Sequence, residues 1–281
     1  MNIFVSDGKV LSQDRAFNYG DGIFTTTHVQ HGKIQLFDFH LSRLAHDASV
    51  LNIALDMKAL SDAMVKTAKA ESRQSFVLKV HVSAGEGGRG YARDKANPAL
   101  IRLMCFPYPQ HYESLREKGA DLICAQTPLS IQPLLAGVKH LNRLEQVLIK
   151  REIETANADD ALVLDTQHHI VEASAGNVFF KNNQGWHTPI LDGSGVNGVV
   201  RQFLLSHFRD DRSIEITEAR YSMEALIGAD CLVVTNALMG VMPVKSLTLK
   251  NGNKLTFDTS HSQVLADALH TKYREEDARF S

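Results

Sequence analysis

The sequence predicts an α+β protein in two domains, on three observations. Its first part carries short β-patterned runs around two segments of helical period, a proline-rich stretch then breaks both patterns, and the second part sets helices among many closely spaced strands. The 281 residues are 44% hydrophobic and 22% charged, an ordinary balance for a chain that buries a sizeable core.

Residues 2–10 read as a hairpin turning at Asp7-Gly8, followed by a loop through Asp14-Arg15 and Gly20-Asp21-Gly22. Segments 24–29 and 33–36 read as strands joined at His31-Gly32. Over 39–51 the apolar positions Leu41, Leu44, Ala45, Ala48 and Leu51 recur with a helical period, and 58–70 supplies a second helix. Strands at 76–83 and 99–106 flank a glycine-rich loop. Together these form a small α/β domain over 1–106. Pro107-Tyr108-Pro109-Gln110 disfavours both helix and strand and opens a linker, 107–115. In the larger domain, 116–281, strands are expected at 121–126, 161–164, 170–172, 178–181, 186–188 and 231–235. Helices are expected at 142–155, 199–208 and 260–273, with a short one near 222–227.

A formal net charge of −2 gives no general attraction to nucleic acid or to an anionic membrane. MNIFVSDGKV lacks the basic flank and apolar stretch of a signal peptide, and no later run reaches membrane-spanning length, so a cytoplasmic protein acting on small molecules is expected. The three cysteines, Cys105, Cys124 and Cys231, are odd in number, far apart and set in apolar surroundings, which reads as buried thiols rather than disulfides or a metal site. Thirteen histidines form no HExxH and no paired Cys/His spacing, and His168-His169 falls in a hairpin turn; no metal is expected.

Three segments can carry chemistry. In GVKHLNRLEQVLIKREI, Lys139 follows a glycine and precedes an amphipathic helix. Such a lysine is usually a solvated charge; buried, its neutral amine becomes available for a Schiff base. In LVLDTQHHIVEASAGNVFF, a hairpin delivers Glu172 at the end of one strand and Asn177 at the start of the next. Glu172 is either a surface carboxylate or a partner for a pyridine nitrogen, which it would keep protonated so that the ring accepts electrons. In TPILDGSGVNGVVRQFLLSHF, glycines and Asn197 stand directly before a helix, with Asn197 as its expected N-cap, a plain capped turn or a cradle for phosphate. Arg43, one turn along its helix from His40, is either a surface arginine or a second phosphate ligand.

Gly85, Gly87 and Gly90 formally match GxGxxG, yet no helix is expected after them, because YARDKANP is polar and ends in proline; a dinucleotide site is not expected. The loop reads either as an exposed tip or as a presentation of Arg89 and Tyr91 to an anionic substrate. There is no GxxxxGK[ST] loop and no GxSxG elbow, which leaves nucleotide hydrolysis and serine-hydrolase chemistry without support.

DRAFNYGDGIFTT, FHLSRL, GVKHLNRLEQVL, VEASAGNVFF, SGVNGVVRQ and NALMGVMPV follow the order of the fold type IV pyridoxal-phosphate (PLP) enzymes, and the chain resembles that family over nearly its whole length. KHLNRLEQVL, SGVNGVVRQ and NALMGVMPV resemble its aminodeoxychorismate lyases in particular. The resemblance implies two domains, the larger with a β-barrel-like core, and a homodimer with active sites near the subunit interface. It implies that Lys139 forms the Schiff base with PLP, Glu172 faces the pyridine nitrogen and Arg43 binds the phosphate. Val196 and Asn197 are implied as further phosphate ligands, with another contact from the segment Asn236-Ala237 and with Asn177 in the same cofactor-binding set. For a lyase that converts 4-amino-4-deoxychorismate to p-aminobenzoate and pyruvate in folate biosynthesis, Lys139 also moves the proton. Thr25 or Thr26 then supplies a hydroxyl near the leaving group, and Arg89 with Tyr91 holds the substrate. The alternative within the family is an aminotransferase for D- or branched-chain amino acids, but branched-chain aminotransferases carry a tyrosine where this chain has Leu144. A noncatalytic binding protein with Lys139 exposed is the reading from another class.

Overall fold

The structure, a computed structural model, describes residues 2–5, 11–94 and 97–279. The chain divides into two compact units. One takes the chain up to Tyr108 together with Val138–Asn142; the other takes Pro109–Gly137 and Arg143–Arg279.

The first unit contains β1 (Asn2–Val5), α1 (Arg15–Tyr19), β2 (Gly22–Gln30), β3 (Lys33–Ile34), α2 (Phe37–Val50), α3 (Met57–Ala70), β4 (Ser75–Ser83) and β5 (Leu100–Pro107). Its sheet has the order β1-β5-β4-β2-β3, with β1 parallel to β5 and the other pairs antiparallel. The turn expected at Asp7-Gly8 lies outside the described residues. Side chains alternate along β2, so Ile23, Thr25, Thr27 and Val29 are buried, and Ile23 and Val29 join a core with Leu44, Ala48, Leu60 and Met64 of the two long helices. Part of the expected loop after residue 14 is the short helix α1. The Asp14 carboxylate accepts from Ala16 N–H at 2.9 Å, and Gly20 ends the helix at φ +63°. Five residues are too few to leave a helical period in the sequence.

Val138–Asn142, expected in the larger domain, belongs to this unit for a physical reason. Val138 is 1% exposed within the β2–α2 core, Lys139 accepts from Phe24 N–H at 3.0 Å, and Leu141 N–H donates to Gly22 at 3.0 Å. Apolar burial and backbone pairing with the start of β2 fix the segment.

Across this sheet, His81 of β4 lies between Phe24 and Arg102, and its Nδ1 is buried with no hydrogen-bond partner among the described residues. Burial, with Lys79 and Arg102 nearby, pushes the imidazole from 6.5 down to about 4, against a weaker upward pull from Asp14. The unfolded chain therefore binds this proton before the folded one does. Stability from keeping the ring neutral is complete above about pH 6.5 and is lost as pH falls toward about 4, by on the order of 3 kcal/mol. Urea midpoints measured across that window should fall in the wild type and fall less in a His81→Gln variant; equal slopes would remove His81 as the cause.

The second unit contains α4 (His111–Lys118), β6 (Ala120–Cys124), α5 (Leu144–Ala156), β7 (Asp160–Leu164), β8 (Ile170–Ala173), β9 (Asn177–Asn182), β10 (Gly185–Pro189), α6 (Val199–Asp211), β11 (Ile216–Ala219), β12 (Cys231–Asn236), β13 (Gly240–Thr248), β14 (Lys254–Thr256) and α7 (Gln263–Arg279). Helix α4 begins inside the expected linker. Pro109 precedes its first turn, where a missing N–H is tolerated, and Gly119 closes it at φ +74°. The sheet runs β11-β10-β9-β12-β13-β6-β7-β8, with β14 on β13. Its two ends meet: Ile170 N–H of β8 donates to Tyr221, just beyond β11, at 2.7 Å. This curl is the barrel-like core. Leu122, Leu162, Phe180, Leu232 and Val244 fill one core, while Ile149 and Ile153 of α5 pack with Ala161 and Val163 in another. Among the described residues no helix is long and apolar enough to cross a membrane.

Candidate active site

In the first unit, Lys139 is half-buried. Its backbone N–H donates to the buried Asp47 carboxylate at 3.0 Å, and its ammonium group lies 4.4 Å from the centre of the Phe24 ring. The lysine is therefore fixed at its backbone by α2 and at its tip by β2, with a cation–π contact that favours one side-chain path. Arg43, 6% exposed, comes from the same helix; its Nη2 donates to the Thr25 hydroxyl. Thr25 is fully buried, and its Oγ1 lies 2.6 Å from His40 Nδ1. Burial, then Arg43, then Lys139 push the His40 imidazole well below its ordinary value. Thr26 points to the opposite sheet face from Thr25, the face that carries Phe24.

Arg89 and Tyr91 stand apart from this cluster, on the loop between β4 and β5. Both are exposed, and Tyr91 is 89% exposed with its ring edge-on to Tyr19 at 5.7 Å. Among the described residues of this loop no helix follows the glycines. The loop is held from beneath. Arg15, 3% exposed, donates to the carbonyls of Gly87, Tyr91 and Ala92 at 2.9–3.1 Å and to Asp21 at 2.8 Å, and Arg93 binds the same aspartate. Burial pushes the Asp21 carboxyl up, but hydrogen bonds from Arg93 and Arg15 outweigh it and hold the group below the usual range.

In the second unit, Glu172, Asn177 and Val196 are joined by direct bonds. Val196 N–H donates to Glu172 Oε2 at 2.9 Å, Asn177 Nδ2 donates to Val196 O at 2.7 Å, and Gly198 N–H donates to Asn177 Oδ1 at 3.0 Å. Two buried side chains thus shape the loop that feeds α6. A Cβ at Gly198 would stand 2.2 Å from Asn177 Oδ1, so any larger residue there would displace the Asn177 amide. The N-cap of α6 is Gly198 rather than the expected Asn197. Asn197 instead donates its N–H to Gly137 at 2.9 Å and accepts from Arg201 at 3.1 Å, so its side chain is drawn back along the helix. The first amides of α6 lie where a helix has no internal acceptors for them. Asn236 turns the β12–β13 hairpin: its Oδ1 accepts from Leu238 and Met239 N–H at 2.8 Å, and its Nδ2 donates to Ala175 at 2.9 Å, which leaves Ala237 half-buried at the tip.

Sequence reasoning missed His40, Asp47 and Thr235. Thr235 pairs directly with Asn177 across β12 and β9, and its buried hydroxyl has no partner among the described residues. His40 and Asp47 share the buried face of α2 with Arg43; polar residues at core-facing helical positions were the available signal.

The amino-transferase class IV family matches residues 22–247. The chain is 36% identical to aminodeoxychorismate lyase of Vibrio harveyi over 246 residues, 87% of this chain and 89% of that one. It therefore belongs to the class IV aminotransferase family, whose enzymes use pyridoxal 5'-phosphate. It is also 26% identical to aminodeoxychorismate lyase of Bacillus subtilis over 92% of this chain and 89% of that one. The crystal structure of 4-amino-4-deoxychorismate lyase from Pseudomonas aeruginosa superposes with a TM-score of 0.86 at 33% identity, covering 94% of this chain and 95% of the other.

Proposed function

We propose that this chain is a PLP-dependent carbon–oxygen lyase that converts 4-amino-4-deoxychorismate to p-aminobenzoate and pyruvate. The observation that carries this reading is the similarity to two lyases at 36% and 33% identity over most of each chain. Leu144, in place of the aminotransferase tyrosine, favours the same branch of the family.

The residues fit the cofactor. Lys139 is an amine on a fixed path, Glu172 a buried carboxylate, and Arg43 a buried guanidinium. Val196 and Asn197 stand just before α6 with their own N–H groups taken by Glu172 and Gly137, so what they bring is the position of the loop, the Asn197 side-chain amide and the first amides of α6 that follow; the Thr235 hydroxyl, without a partner among the described residues, lies beside Asn177. When bound, PLP supplies an electron sink for the charge left at the carbon that bears the substrate nitrogen. Lys139 would hold the cofactor through its amine and would be the base that takes the proton from that carbon. Glu172 keeps the pyridine nitrogen protonated, while its bond to Val196 N–H holds the loop that binds phosphate. Arg43 of the first unit and Val196, Asn197, Asn236 and Ala237 of the second are each assigned to the phosphate, and within the second unit Asn177 fixes the loop before α6. Cleavage of the ether carbon–oxygen bond would expel enolpyruvate and leave the ring aromatic, and a proton equal to the one removed from the ring carbon would be added to the methylene carbon to give pyruvate. Thr26 is the better-placed hydroxyl for the leaving group, because it shares the Phe24 face while the Thr25 hydroxyl is engaged by His40 and Arg43. Arg89 and Tyr91 bind the substrate, with the arginine on a carboxylate.

We assign a homodimer, supported by an exposed apolar row on α5, where Leu144, Val147 and Leu148 recur at helical spacing. A cytoplasmic location is supported by buried thiols at Cys124 and Cys231, the second pushed up to about 12 by burial.

The test is product stoichiometry. The purified, PLP-loaded protein given 4-amino-4-deoxychorismate should release pyruvate and p-aminobenzoate in equal amounts. No release from a protein that retains its lysine-bound cofactor band would leave amino-group transfer to a keto acid as the activity.

A further inference from the structure

Beneath Arg43 lies a pair of side chains whose hydrogen-bond directions are fixed by chemistry. A guanidinium has donors only. When Arg43 Nη2 donates to the Thr25 hydroxyl, that oxygen is the acceptor, and its own proton must go to the other group in reach, His40 Nδ1 at 2.6 Å. Nδ1 is therefore the lone-pair nitrogen, and Nε2 carries the single ring proton. Arg43 Nη2 itself lies 3.5 Å from Nδ1, a contact that suits a neutral acceptor and not a second cation.

The burial pattern argues that this arrangement does more than fill space. His40 and Thr25 are both 0% exposed, and Nε2 has no hydrogen-bond partner among the described residues. A buried ring held only to satisfy itself would use both nitrogens; this one uses Nδ1 and leaves its N–H orphaned. Thr25 stands in a row with Ile23, Thr27 and Val29. Thr27 bonds its own sheet partner, Leu78, at 3.2 Å, whereas the Thr25 hydroxyl turns away from its strand pair, Val80, toward the helix residues. Burial and the two neighbouring cations keep the imidazole neutral, which preserves the acceptor.

We propose that His40 is a positioning residue which, through the Thr25 hydroxyl, holds the Arg43 guanidinium in one orientation for a phosphate monoester. The inference rests on the reading of Arg43 as a phosphate ligand, and it assigns His40 and Thr25 to cofactor affinity rather than to proton transfer. Preorganising a guanidinium favours the ligand that engages it and is neutral toward one that lacks the phosphate.

The experiment measures affinity of the apoprotein for PLP and for pyridoxal, which lacks the phosphate, by equilibrium dialysis. His40→Leu and Thr25→Val should each weaken PLP by about tenfold or more and leave pyridoxal within about threefold. His40→Asn, whose Oδ1 can take the place of Nδ1, and Thr25→Ser should restore PLP to within about threefold of wild type. Arg43→Gln serves as the control and should lose the PLP preference at least as far. If Arg43→Gln loses that preference while His40→Leu and Thr25→Val keep it, the positioning role is overturned and the Arg43 reading stands. If Arg43→Gln keeps it, the Arg43 reading fails and takes this inference with it. Thr25→Val, close to isosteric, decides the matter where His40→Leu does not fold.

Discussion

Replacing Lys139 with Ala should lower turnover by at least about 10³-fold, because under the proposed assignment one substitution removes both the covalent hold on the cofactor and the base. The fold should survive it. Lys139 is tied into the first unit by its backbone, through N–H to Asp47 and O from Phe24 N–H, and alanine keeps both bonds. The loss is that of the half-buried side chain, its contact with the Phe24 ring included, so the unfolding free energy from urea titration should fall by no more than about 1 kcal/mol. Lys139→Arg separates the remaining possibilities, since it keeps a cation over Phe24 but has no amine that can hold the cofactor covalently. Both variants should lose the visible band of lysine-bound PLP together with product release. Turnover within tenfold of wild type in either variant would remove Lys139 from the chemistry.

The contrast between Lys139 and its neighbours shows what periodicity reveals and what it hides. Long amphipathic segments were legible: α2, α3, α5 and α6 lie where the apolar spacing put them, with ends shifted by a few residues at caps such as Leu36 and Asn157, both at positive φ. Strand β13 was not. It lies between β12 and β6 and carries Pro243 opposite Val233, and proline in a run argues against an inner strand even where the tertiary partners override it. Helix α4 was hidden for a related reason, because Pro107 and Pro109 just before it read as linker. The return of Val138–Asn142 to the first unit depends on pairing with a strand more than a hundred residues earlier, which no local pattern encodes. Among site residues, the motif order singles out Lys139, Arg43, Glu172 and Asn177 as candidates, and in the structure Arg43, Glu172 and Asn177 are buried and Lys139 is half-buried. Hydrogen-bond direction was out of its reach. Asn197 was read as a cap from its residue type, and only the structure shows Gly198 in that place and Asn197 bonded to Arg201.

Glu172→Gln should cut kcat by roughly 10²- to 10³-fold, the loss typical of removing one preorganised electrostatic group, while cofactor affinity changes only a few-fold. The separation follows from the double duty of the side chain. Its Oε2 accepts from Val196 N–H at 2.9 Å inside a unit where Asn177 binds the same loop, so the carboxylate proposed to face the pyridine nitrogen is also an anchor for that loop. A glutamine amide is uncharged but still presents a carbonyl oxygen to Val196, and the loop and its amides stay in place. Glu172→Ala removes charge and anchor together. The buried Val196 N–H then loses its acceptor, at a cost of about 1–3 kcal/mol in stability, and phosphate binding should weaken along with turnover. The pair of variants therefore distinguishes the two duties: a drop in kcat in both, with a drop in PLP affinity and in the urea midpoint in Glu172→Ala alone. A Glu172→Gln variant with near-normal kcat would leave the residue an anchor only, and the proton on the pyridine nitrogen would have to be held by another group.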